Sequence, residues 1–409
     1  MSQQLINLND DLTRLSDEGF ELEILSGFLL VRNVPYVNGE AKICFGALVS
    51  ELTFEGGDRT ARPRTHVAHF IGEAPCDRQG NQLAKILNRS QTESLAPGLT
   101  VNHMFSSKPK GGYADYYEKL TTYFSLVSSH AYSLDPSLQL PEPVIRLDAG
   151  NESVFHYTDS ASTRAGIVMA NQKLALKSIA IVGLGGTGAY VLDLVAKSPV
   201  KEIHLYDGDD FEQHTSFRAP GATSIEDLRQ RLTKVEFYSQ KYSKMRSGIV
   251  PHPSFIDHSN VAELTSVDSV FVCVDRGSAR RLILESLQDT HVPAIDVGMG
   301  LYLENDSVGG LLRVSTSTPA MRQHLCSTAP MTDMDLDAAY STNIQTNDLN
   351  ALNAALAVVK WKKLYGFYHD FDCEHSTTFT IDGNTIMNSE KNHESQSEFS
   401  SQLRRSNPR

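Results

Sequence analysis

The chain has 409 residues, 40% hydrophobic and 21% charged, a soluble globular composition that excludes collagen-like, coiled-coil and wholly disordered readings. At roughly 150 residues per domain it holds two or three domains, and no stretch approaches the roughly 18 uninterrupted apolar residues of a membrane span. Lys plus Arg is 37 and Asp plus Glu is 49, so the net charge is −12; this argues against general affinity for nucleic acid or membrane, though not against a local basic pocket for a small anion.

The opening MSQQLINLNDD is polar and acidic, so neither a secretory signal nor a transit peptide is expected. Residues 1–150 read as an α+β block. FELEILSGFLLVRNVPYVNG (20–39) predicts a strand pair ending in an Asn-Gly turn, and ICFGALVSELTF (43–54) another strand. DYYEKLTTYFSLVSSHAYSL (115–134) predicts a helix with Tyr116, Leu120, Tyr123, Phe124 and Val127 on one face. LDPSLQLPEP (134–143) marks a boundary.

From about 170 to 385 strand and helix alternate. SIAIVGLG is a strand entering a glycine turn, TGAYVLDLVAKS a helix, and EIHLYD a second strand. A helix is expected near 225–246, then the strand SVFVCVD, the helix SARRLILESLQD and the strand PAIDVG. A helix over 348–366 and the strand TTFTIDGN close the block. Continuous apolar strands between helices predict a doubly wound, mostly parallel, Rossmann-like sheet. The expected domains are 1–150 and 151–385, with a disordered polar tail from 386 to 409.

The five cysteines, Cys44, Cys76, Cys273, Cys326 and Cys373, are widely spaced and form no CxxC pair. A disulfide framework and a zinc knuckle both lack support, and a reducing, cytoplasmic setting with buried thiols is expected.

Gly183, Gly185, Gly186 and Gly188 fit G-x-G-x-x-G at a strand-to-helix junction. Backbone N–H groups at the start of such a helix point at an anion, and the helix dipole favours it. Asp207 ends the second strand, 24 residues beyond Gly183, where a carboxylate can accept from ribose hydroxyls. Alone, this turn leaves the nucleotide open, NAD included. Asp209, Arg218, Lys234 and Asp275 follow in order. Two carboxylates and two cations suit a polyphosphate and its metal better than a nicotinamide.

At these residues the chain resembles the ThiF/MoeB/HesA adenylyltransferases, the ubiquitin-activating-enzyme family. GLGGTG covers 183–188 and DGDDFEQHTSFR covers 207–218. Lys234 stands in TKVE, and Asp275 in VCVDRGSARR. The resemblance runs over about 160–385. It implies ATP and Mg2+, with Asp207 on ribose, Arg218 and Lys234 on phosphates, and Asp275 on the metal. It implies for Arg164, in STRAGIV, a reach toward a partner protomer's ATP. The implied reaction is attack of a carboxylate on the α-phosphate, with release of pyrophosphate. The expected substrate is the C-terminus of a ubiquitin-like or sulfur-carrier protein. A homodimer and a downstream conjugating protein are further expectations, in a bacterial conjugation or defence pathway.

Two departures stand out. Thr215 replaces the Asn that the family has before its arginine, which offers fewer hydrogen-bonding groups. The family's CxxC zinc pairs are absent, and Cys326, two residues after His324, is the best thiol candidate for a thioester. Competing readings are activation of a small-molecule or tRNA-base carboxylate, a non-catalytic nucleotide-binding scaffold, and an NAD-dependent oxidoreductase. The last leaves Arg218, Lys234 and Asp275 without a task.

The resemblance does not cover residues 1–150, where a partner-recruiting domain is expected. His66, His69 and Cys76 lie close in sequence without a standard zinc spacing. Lys108 and Lys110 lie beside three tyrosines, a basic-aromatic loop that could contact a partner.

Overall fold

A computed structural model describes residues 2–138, 153–325, 331 and 344–391. The chain divides into two compact units, Met1–Gln172 and Lys173–Arg409. The sequence placed the division at 150/151, so the stretch carrying Arg164 belongs to the first unit.

The first unit opens with helices α1 (Ser2–Asn7) and α2 (Asp10–Asp17). Strands β1 (Leu22–Leu25), β2 (Phe28–Val37), β3 (Ile43–Glu51), β4 (Phe54–Glu55), β5 (Arg59–Thr60), β6 (Val67–Ile71), β7 (Leu87–Ala96) and β8 (Leu99–Ser106) follow. Six of them form an antiparallel sheet in the order β1-β2-β3-β6-β8-β7, while β4 pairs with β5. Ser26 and Gly27 turn the first hairpin with φ of 49° and 81°, the left-handed pair that a tight two-residue hairpin requires. Helix α3 (Tyr116–Leu134) starts where the Asp115 side chain accepts from the Glu118 N–H. The predicted face of α3 is buried against the sheet, with Phe70 and Phe105 in the same core. Two short helices, α4 (Ser160–Arg164) and α5 (Val168–Asn171), complete the unit.

The second unit carries β9 (Ser178–Val182), α6 (Gly186–Val195), β10 (Glu202–Tyr206), α7 (Gln213–Ser216), α8 (Ile225–Arg229), α9 (Lys234–Tyr242), β11 (Ile249–His252), β12 (Ser269–Val272) and α10 (Gly277–Ser286). Then come β13 (Ala294–Glu304), β14 (Ser307–Ser317), α11 (Asn347–Leu364), β15 (Glu374–Thr380) and β16 (Thr385–Lys391). The eight-stranded sheet has the order β11-β10-β9-β12-β13-β14-β15-β16. Strands β9 to β13 are parallel to their neighbours, and β14 to β16 add an antiparallel edge. Every residue of β9 is buried. Ile179 and Ile181 pack with Val191, Leu192 and Trp361 on one face. Ala180 and Val182 pack with Leu264 and Ile283 on the other. Alternation along one strand thus covers both faces of the sheet. Order reverses between β10-β9 and β12-β13, and ligands of open α/β sheets bind at such a switch, beyond the strands' carboxyl ends.

Several elements differ from expectation. The helix expected near 225–246 is two helices. Arg231 has φ 50°, and Thr233 starts α9 afresh with a capping box to Glu236. β12 stops at Val272, three residues short of Asp275. Residues 386–391, assigned by the sequence to a disordered tail, form β16. Its polar residues pair as an edge strand against β15, where side chains need not be apolar.

Candidate nucleotide site

The glycine turn lies between β9 and α6, and its four glycines do different things. Gly183 has φ 87°, and a Cβ there would lie 2.6 Å from the Cys273 carbonyl oxygen. A Cβ on Gly188 would lie 1.9 Å from the Gly183 carbonyl oxygen. One on Gly186 would lie 2.0 Å from Nδ2 of Asn350. Only Gly185, the N-cap of α6, faces open space, with nothing within 4 Å of an added Cβ. Three glycines therefore close the turn against its own protein. The fourth leaves room for an anion at the helix start.

Asp207 follows the last residue of β10 and is buried. Its Oδ2 accepts from the Leu184 N–H at 2.6 Å and its Oδ1 from the Asp209 N–H at 2.9 Å. The carboxylate thereby ties the glycine turn to the loop after β10. Lys234 is the first residue of α9, and its backbone N–H donates to the Asp209 carbonyl at 2.9 Å. Its Nζ lies 2.6 Å from Asp209 Oδ2 and 3.3 Å from Asp207 Oδ1. Glycine turn, both carboxylates and lysine, far apart in sequence, are thus one hydrogen-bonded group.

Asp275 is exposed. It stands two residues past Cys273, whose carbonyl abuts Gly183, so it lies at the carboxyl end of the strand beside the turn. Arg218 follows α7, and its backbone N–H donates to the Thr215 carbonyl. Tyr238 on α9, which the sequence did not single out, is in electrostatic reach of Asp207 and Arg218. Burial, and after it the Asp207 charge, pushes its hydroxyl pKa well above the ordinary value. Phe255 packs against Gly208, with the Arg276 guanidinium 5.7 Å from its ring centre.

The chemistry of the buried polar atoms here tests the fit of an anion. Arg218 Nε, Thr215 Oγ1 and Tyr238 Oη, on the segments that follow β10, are buried without a hydrogen-bond partner. All three can donate. A buried donor left unmade costs about 1–3 kcal/mol, and a phosphate oxygen is the acceptor that would satisfy such a set. Mg2+ needs only one or two carboxylates beside substrate phosphates. Asp275 and the half-exposed Asp209 are the carboxylates that could hold it. Among the described residues no group of three or more His, Cys, Asp or Glu could hold a metal unaided.

Arg164 ends α4 and is exposed, but in the first unit. Cys326 lies outside the described residues. Cys273 packs against Gly188, and burial raises its thiol pKa, so a packing role is observed. In the first unit Cys76 is buried and donates to the Ala74 carbonyl. Burial lowers the pKa of His69. Of the tyrosines beside Lys108 and Lys110, Tyr113 and Tyr116 are buried in the core. The aromatic half of that expected contact loop therefore serves packing. No described helix is long and apolar enough to cross a membrane.

Asn350, Tyr238, Phe255 and Arg276 were not found from sequence. None belongs to a local pattern, and Asn350 reaches the turn from a helix more than 160 residues away.

Comparison with known proteins places the ThiF family at residues 161–335 and a domain of unknown function, DUF6791, at residues 10–160. A protein named ubiquitin-like modifier-activating enzyme 5, from Caenorhabditis briggsae, is 25% identical over 232 residues, 53% of this chain and 46% of that protein. One of the same name from Aedes aegypti is 27% identical over 134 residues, 30% of this chain and 34% of that protein. The chain thus spans less than half the length of these curated relatives. Among solved structures, E. coli MccB with ATP aligns at TM-score 0.43 and 18% identity, over 55% of this chain and 66% of that one.

Proposed function

Because residues 161–335 are a ThiF family domain, we propose that the second unit activates a carboxylate by adenylation, using ATP with Mg2+. The observation that carries this is the group that Asp207 ties together, the glycine turn with Asp209 and Lys234, joined by the buried, unmatched donors Arg218 Nε, Thr215 Oγ1 and Tyr238 Oη on the segments that follow β10. Two cations and buried hydroxyls that can donate suit a polyphosphate.

A C-terminal carboxylate has a pKa near 3.5 and is ionised at pH 7, so its attack needs no general base. What the step requires is alignment of two anions and compensation of the charge that shifts to pyrophosphate. The α6 N-terminus and Gly185 receive phosphate oxygens. Lys234, held by Asp207 and Asp209, fixes the cationic wall, and Arg218 supplies a second cation. Asp207 holds the turn through the hydrogen bond it accepts from the Leu184 N–H. Asp275 and Asp209 would hold Mg2+, which when bound neutralises phosphate charge.

The names of the relatives support a ubiquitin-like protein as substrate; the proposed carboxylate is the C-terminus of such a protein or of a sulfur-carrier protein. Homodimerisation, a downstream conjugating protein, a partner-recruiting first unit and an Arg164 reaching a partner's nucleotide belong to the same reading. The test is ATP–pyrophosphate exchange with ubiquitin-like proteins bearing free or amidated C-termini. Exchange only with the free carboxylate is expected. Exchange that is indifferent to amidation overturns the proposal.

A further inference from the structure

We propose that Asn350 is a positioning residue of the phosphate turn and the reason that residue 186 is glycine. Asn350 lies in the first turn of α11 and is 1% exposed. A Cβ on Gly186 would lie 2.0 Å from Nδ2, 2.4 Å from Cγ and 2.7 Å from Oδ1. The carboxamide therefore lies against residue 186 where a side chain would be. Gly186 has no left-handed backbone that would itself call for glycine. Thr187, its neighbour, donates its hydroxyl to Asn350 Oδ1 at 2.8 Å. One side chain thus contacts both residues that open α6, the residues whose N–H groups have no partner within the helix.

Gly185 and Gly186 then divide the work. Gly185 borders open space, and Gly186 borders Asn350. The side of the turn away from the ligand is braced by an element that no glycine-loop pattern includes. The inference rests on the nucleotide reading for its ligand effect, but the Gly186–Asn350 contact can be tested without any ligand.

The experiment compares the full-length wild type with Gly186→Ala, Asn350→Ala, the double variant and Thr187→Val. Melting temperature without nucleotide, Mg-ATP affinity, and KM and kcat for pyrophosphate exchange are measured. Gly186→Ala is expected to lower the melting temperature and weaken Mg-ATP binding about tenfold or more, through overpacking. Adding Asn350→Ala is expected to recover most of both losses, a non-additive pair. Thr187→Val is expected to raise KM for ATP about two- to tenfold, the loss of one neutral hydrogen bond, with kcat within about twofold. A double variant no better than Gly186→Ala overturns the proposal, because ligand or backbone would then dictate glycine at 186. Should Gly186→Ala fail to fold, an unchanged KM in Thr187→Val overturns it equally. If the wild type does not bind Mg-ATP, the nucleotide reading fails, and recovery of melting temperature in the double variant still decides the contact.

Discussion

Lys234 Nζ lies 2.6 Å from Asp209 Oδ2, and the two ends of this ion pair differ in environment: the lysine side chain is 9% exposed and the aspartate 57%. The lysine is therefore fixed by the protein, while one partner carboxylate faces solvent. Lys234→Met keeps much of the stem's packing but leaves buried Asp207 without its cation. We predict a loss of about 1–3 kcal/mol, the cost of an unmatched buried polar group. Mg-ATP binding should fall with it. Urea unfolding with and without nucleotide checks both. A variant as stable as wild type would show that the pair is only a surface contact.

Asp275 is exposed, so its removal leaves no cavity. Asp275→Ala should melt within a few degrees of wild type and lose about 10²–10³ in exchange rate, the scale seen when one preorganised electrostatic contact is removed. Undiminished exchange would remove Asp275 from the site.

Much of this site was legible in the sequence because its parts are local. A glycine turn and a strand-end aspartate each announce themselves through short-range rules, whereas Lys234 was picked out by the resemblance and its place at the start of α9 was not. The parallel sheet was legible from strands apolar on both faces. What escaped depends on distance. Nothing near Asn350 indicates that it reaches Gly186, and Tyr238 reads as an ordinary core tyrosine. The split between α8 and α9 was missed because a single left-handed residue, Arg231, interrupts an otherwise helical pattern. β14 was missed because SVGGLLRVSTS carries two glycines, Gly309 and Gly310, near its start, which weaken a strand pattern.

A buried group around Asp296, made of residues distant in sequence, gives a third prediction. Asp296 is fully buried, with Arg280 Nε 2.7 Å from one oxygen and Arg313 2.7 Å from the other. Arg280 also donates to the Val274 carbonyl at 2.6 Å, one residue before Asp275. Asp296→Ala leaves two arginines without their shared anion. Breaking a buried pair from one side costs about 3–5 kcal/mol. Chemical denaturation measures it, and a cost below about 1 kcal/mol would contradict the assigned role.

The first unit offers a pH test. Lys119, buried in α3, donates to Ser50 Oγ at 2.9 Å. Burial lowers its pKa from 10.5 to about 8, against a smaller opposing pull from Glu51. The unfolded chain holds this proton more tightly than the native one. Below about pH 8 the buried charge costs stability, and the cost is relieved as pH rises from about 8 to 10.5. That interval corresponds to about 3 kcal/mol. Relative to wild type, Lys119→Met should be more stable at pH 7, with an advantage that shrinks toward pH 10. An advantage constant with pH would show that Lys119 titrates normally.

The claim on which the rest depends is that the second unit binds a nucleoside triphosphate at the glycine turn. Isothermal titration of the full-length protein with Mg-ATP and, separately, with NAD tests it directly, using wild type, Lys234→Met and Asp275→Ala. Mg-ATP binding to wild type, weakened in both variants and absent with NAD, is the predicted result. Binding of NAD in place of Mg-ATP, or Mg-ATP affinity indifferent to both substitutions, would contradict it.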